Sequence, residues 1–186
     1  MNLLRGAALA MIVAGPVVVT EGRAAPPVSS GYVDASMFRA LVDESQEIVE
    51  VNLEGAVLEA LAKQKGEDPE DEQTSDLFGK LKAIHAVIGT VKGPASAAAA
   101  LVRQTDQKLY DAGWQRVTRI KSETALISVL THTAGGRIDG LVTLIFDSED
   151  KELVFANLAG EIDITRLGEI GDRLKVPGLD QVPGAR

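Results

Sequence analysis

Residues 113–161 read GWQRVTRIKSETALISVLTHTAGGRIDGLVTLIFDSEDKELVFANLAGE, and this stretch decides the fold. It divides into four runs without helical spacing: Trp114–Lys121, Ala125–Thr133, Arg137–Phe146 and Leu153–Leu158. The second and third are rich in β-branched residues, Ile127, Val129, Thr131 and Thr133, then Ile138, Val142, Thr143 and Ile145. Such side chains suit a pleated surface better than a helix. Between these two runs lies Ala134-Gly135-Gly136, and consecutive glycines reach the positive φ of a tight hairpin turn without a Cβ clash. The next break, Asp147-Ser148-Glu149-Asp150, has the polar composition of a turn. The pattern predicts an antiparallel meander.

Alternation within the meander is incomplete. In the third run Val142, Leu144 and Phe146 point one way, and Leu141 and Ile145 the other. A sheet solvated on one side shows a cleaner split. Helices on both faces, a partner on one face, or apolar surface left over would each account for this. The last is the simplest expectation, because apolar atoms are common on ordinary surfaces.

Upstream, Ser96 to Ala112 predicts a long helix with Ala98, Leu101, Val102, Thr105 and Leu109 on its buried stripe, stopped by Gly113. Ala83–Val91 and Ile48–Leu53 read as strands. Glu54 to Lys65 reads as a helix with Val57, Leu58, Leu61 and Ala62 on one stripe. Asp34 and Ser36 can cap a short helix bearing Met37, Phe38, Leu41 and Val42, and Thr74 or Ser75 one bearing Leu77, Phe78 and Leu81. Downstream, Asp163 can cap a helix carrying Ile164, Leu167, Ile170 and Leu174 before Pro177-Gly178. The fold class expected is α+β: a single domain, 31–176, with a mostly antiparallel sheet of about six strands and helices packed on it.

The first 24 residues have the layout of a secretory signal peptide: Arg5, an apolar run Ala7–Val19, and small residues at Gly22 and Ala24. The apolar run is shorter than the roughly 20 residues needed to cross a bilayer. A polar lead-in, 25–30, and a loose tail, 177–186, flank the domain. Cleavage after Ala24 leaves 162 residues with 17 basic and 26 acidic side chains, a net charge of −9. That balance argues against nucleic acid and against anionic lipid as partners. The expected location is periplasmic or secreted, with no membrane association after cleavage. There is no cysteine, so disulfides, thiol nucleophiles and a lipid anchor on an N-terminal cysteine are excluded.

Several short motifs, in order, are Gly31-Tyr32-Val33-Asp34, Val49-Glu50-Val51-Asn52-Leu53-Glu54-Gly55, Gly113-Trp114 with Arg116-Val117, Gly140-Leu141-Val142, and Phe155 through Asp163. Together they resemble a bacterial family of exported domains catalogued as domain of unknown function 4252. The resemblance spans nearly the whole chain after the leader. It implies export, no established activity, and no catalytic residues to carry over. Lipid-anchored members of that family need a cysteine that is missing here.

The chemistry available is sparse. His85 lies in an apolar strand, where a core or edge histidine is the ordinary reading, and His132 lies near the glycine hairpin. Neither has short-range metal-ligand spacing. The acidic stretch 66–75 and the carboxylates at 147–152 lack the alternation and central glycine of a calcium loop and read as solvated loops. No nucleophile elbow or phosphate loop occurs. Asn157 interrupts an apolar strand and is expected to bond backbone at a bulge before Gly160. Trp114, the only tryptophan, is expected to fill the core beneath the preceding helix. No catalytic, cofactor-binding or metal-binding residue is assigned, and no cofactor is expected. The reading favoured is a non-enzymatic binding or interaction module with an unidentified protein or small-molecule partner. The alternatives are a small hydrolase or metal-dependent enzyme assembled around His85 or His132, and a homodimer burying one sheet face.

Overall fold

The structure, a computed structural model, describes residues 31–63 and 78–163. Six strands form one sheet: β1 (Ile48–Glu54), β2 (Leu81–Thr90), β3 (Gln115–Lys121), β4 (Ala125–Ala134), β5 (Arg137–Asp147) and β6 (Glu152–Gly160). Packed with them are the helices α1 (Ser36–Arg39), α2 (Ala56–Lys63) and α3 (Ala95–Asp111). The strand order is β1-β2-β6-β5-β4-β3, with every neighbouring pair antiparallel. The class is α+β. Gly135 and Gly136 turn the β4–β5 hairpin at φ of 61° and 78°, the pair of positive values that a type I′ turn needs.

The pairing of β2 with β6 joins the two halves of the chain. From β2 the chain crosses the sheet through α3 to reach the far edge at β3. Trp114, just past α3, is 5% exposed and packs with Val102, Leu109, Leu130 and Val142. It fills the core beneath the helix that it follows.

Helices cover both faces, so the apolar surface is not simply left over. On one face α1 and α3 pack against β2, β4, β5 and β6, and Phe38 stacks on Phe155 with ring centroids 4.5 Å apart. On the other, Leu58, Leu61 and Ala62 of α2, with Phe78, pack on Ile84, Leu141 and Leu158. At the far end of this second face, one aliphatic row crosses all six strands. It runs Val49, Ile88, Val154, Ile145, Ile127, Ile120 through successive register partners. Its ends are open: Val49 is 38% and Ile120 47% exposed.

Several expectations need correction. Glu54 belongs to β1, and the helix begins at Ala56. Val57 is exposed rather than on the buried stripe, which narrows to Leu58 with Leu61 and Ala62. Leu81 opens β2, opposite Gly160, because strand pairing overrides its local helical spacing. The leader 1–24, the lead-in 25–30, the acidic stretch 66–75, the helix expected after Asp163 and the tail 177–186 lie outside the described residues.

Candidate functional site

The described residues begin with a strap, Gly31–Val33, laid on the sheet face shared with α1 and α3. Asn157 holds it. This side chain is fully buried, in a row of register partners with Asn52, His85, Val142 and Leu130. Its Oδ1 accepts from the Val33 N–H at 2.9 Å, and its Nδ2 donates to the carbonyls of Gly31 and Leu141, both at 3.0 Å. The amide therefore bonds backbone, as expected, but it does so within a regular ladder. The irregularity in the β2–β6 pairing falls between Leu81 and Ala83 instead. Seating the strap requires two bare backbones. A Cβ on Gly31 would lie 2.0 Å from the Asp139 carbonyl oxygen, and one on Gly140 2.5 Å from the Gly31 Cα.

His85 lies under one end of the strap. Its ring is buried, meets Tyr32 edge to face at 5.1 Å, and brings Nε2 to 2.7 Å from Glu54 Oε1. The carboxylate lies off the direction of a hydrogen bond, and Nε2 has no other partner. The contact is close and electrostatic rather than aligned. Around it, burial raises the Tyr32 hydroxyl above its ordinary pKa, helped by the negative charges of Asp34 and Glu54. The Ser36 hydroxyl and N–H hold Asp34 below the usual carboxylate range.

His132 lies towards the strap's other end. Its Nδ1 is 2.6 Å from Asp139 Oδ1, and Trp114 tilts over its ring with centroids 5.3 Å apart. A bulge sets up this pair: His132 is opposite Gly140 and Thr133 opposite Ile138, which leaves Asp139 as the extra residue. An imidazole oriented by a carboxylate is two-thirds of a nucleophile-activating triad. Among the described residues no hydroxyl is hydrogen-bonded to His132 to complete it.

The two histidines are on β2 and β4, with β6 and β5 between them. Three strand spacings amount to about 14 Å, far beyond the reach of one ion's ligand shell. Among the described residues no group of three or more His, Asp or Glu side chains is arranged to hold a metal.

The sequence reading missed Asp106. It lies on α3, 3% exposed, and takes the Arg116 guanidinium through Nε and Nη2 at 2.8–3.1 Å. The Ser128 hydroxyl also donates to it, at 2.5 Å. Burial alone would raise its pKa, but hydrogen bonds from Arg116 and Ser128 and the charges of Arg116 and Arg119 outweigh burial and leave it low. Arg116 is correspondingly raised, chiefly by its hydrogen bonds to Asp106, and it also lies 3.9 Å over the Tyr110 ring. One signal was there to be read: Asp106 follows Val102 by four residues, next to the apolar stripe of an otherwise alanine-rich helix.

A family model described as "Domain of unknown function (DUF4252)" matches residues 28–170. No curated protein matches the chain.

Proposed function

The chain belongs to the family described as domain of unknown function 4252, and on that premise we propose that it is an exported interaction module rather than an enzyme. Its setting is the cell envelope, in homeostasis or signalling. Export rests on the signal-peptide layout of the first 24 residues. The partner is a protein, met at the open ends of the aliphatic row, Val49 and Ile120.

That row is the observation that supports the reading. It ends on β1 and β3, the two strands that close the sheet order, with its terminal side chains open to solvent. Within the row Ile88 and Val154 are already covered, so a partner meets its open ends, Val49 and Ile120, each on an edge strand of the described sheet and suited to a partner's strand or apolar side chain. Photo-crosslinking in native cells tests this, with the reactive residue at Ile120 or Val49 and a control at Met37 on α1. Adducts concentrated at the first two positions are expected, and a product of twice the chain mass would identify a second copy as the partner. Equal labelling at all three positions would rule the surface out.

The His132–Asp139 pair favours one other reading, a small hydrolase with His132 as general base. Turnover of activated esters by the purified protein, abolished by His132→Gln, would establish it. Equal rates in the two proteins would dismiss it.

A further inference from the structure

Asp106 has a consequence beyond its own pairing. A carboxylate offers about four lone-pair positions. Arg116 Nε reaches both oxygens, Arg116 Nη2 adds a third contact and the Ser128 hydroxyl a fourth. Because Nε has a single hydrogen, these are three donors on the carboxylate, and Arg119 adds charge without a hydrogen bond of its own. Its Nη2 stops 3.9 Å from Asp106 Oδ2, and its side chain is 55% exposed. Arg103, one turn before Asp106 on α3, and Lys121, two residues beyond Arg119 on β3, have no hydrogen bond or ion pair among the described residues.

These groups surround a hollow. About 70 Å³ opens between α3 and the β3–β4 pair, lined by Val102, Arg103, Asp106, Arg119, Lys121 and Leu126 among others. Asp106 is the only carboxylate among its lining residues, and its charge is already matched by Arg116. Arg119 shares that one carboxylate at 3.9 Å, so the lining carries three cations beside an acid already engaged by Arg116, in a chain of net charge −8. Opposite them, Val102 and Leu126 supply an apolar wall. Neither histidine lines the hollow.

We propose that this hollow is a binding site for a small aliphatic monocarboxylate. The head group takes the donors of Arg119, which make no hydrogen bond to Asp106, with Arg103 and Lys121 adding charge, and the short alkyl body lies against Val102 and Leu126. Size limits the ligand. A dry cavity of about 150 Å³ holds benzene, so half that volume takes a chain of a few carbons. A planar carboxylate also matches the guanidinium fork of Arg119 better than a spherical anion does.

The test is a titration of the 15N-labelled full chain with sodium butyrate, followed by amide shifts. Sodium chloride at equal ionic strength and sodium sulfate are run in parallel. Saturable shifts confined to 102–106, 119–121 and 126–128 are expected, with sulfate weaker. Arg119→Gln should weaken butyrate binding about fivefold, and Arg103→Gln with Lys121→Gln together by at least as much. Both sets of side chains are exposed, so the variants keep the native spectrum elsewhere. Shifts that stay linear to about 50 mM, that match sulfate in size, or that survive Arg119→Gln in a folded variant would overturn the assignment.

Discussion

Asn157 and Asp106 are both buried polar side chains, yet they close the structure in different ways. Asn157 is neutral and bonds backbone, tying the strap to β5 and β6. Nothing is left over once its bonds are made. Asp106 is charged and bonds side chains, gathering Arg116 and Ser128 onto α3. One carboxylate is thus shared by the charges of Arg116 and Arg119. The buried amide is satisfied by backbone alone, whereas the buried carboxylate depends on charged side chains from another element.

The largest expected effect breaks the second of these. Asp106→Ala leaves the Arg116 guanidinium, only 17% exposed, without its partner. Losing one side of a largely buried pair costs about 3–5 kcal/mol, read from urea unfolding. Asn157→Ala strands the Val33 N–H and the Gly31 carbonyl, and about 2–3 kcal/mol is expected. Hydrogen exchange should place that loss at Gly31–Val33 first. Should the two variants prove equally destabilised, with exchange spread over the whole sheet in both, the contrast fails.

Gly140→Ala sharpens the picture from the packing side. Its new Cβ would sit 2.8 Å from Trp114 Cη2 as well as against Gly31. Overpacking of this kind costs about 1–3 kcal/mol. Increased cleavage of the strap by protease, with Trp114 fluorescence shifted, is the accompanying readout.

The smallest effect is the dependence on pH. Asp106 has its folded pKa depressed below its unfolded value. Its pairing therefore contributes stability above the unfolded pKa of about 3.9, and that contribution is lost as pH falls through the lower folded value. The wild type should lose stability more steeply below about pH 4 than Asp106→Asn does. Asn157→Ala should keep the wild-type slope, since an amide does not titrate. Identical acid profiles for wild type and Asp106→Asn would show that the pair contributes little.

Local signals carried much of this architecture. The glycine hairpin, the β-branched runs and the stripe of α3 are encoded within a few residues of one another, and all are present as read. The β2–β6 ladder is different: it pairs residues about seventy positions apart, through apolar side chains that would fit many neighbours, and no periodicity specifies that choice. The covering of both faces followed from the same gap. His85 and His132 each meet a carboxylate, but Glu54 comes from β1 and Asp139 from a bulge. Neither pairing can be inferred from the spacing in the chain. Asp106 was legible in kind, as an acid beside an apolar stripe. Its partners were not, because Arg116 and Ser128 reach it across two strands.

The strap has a kinetic consequence. Gly31 and Val33 wait for Asn157, 126 and 124 residues further along. The earliest part of the domain to emerge is thus among the last to settle. Contacts so distant form slowly. In a chain that is threaded across a membrane head first, as proposed, this delay is protective: the leading end has no lock to close until almost everything behind it has passed through the pore.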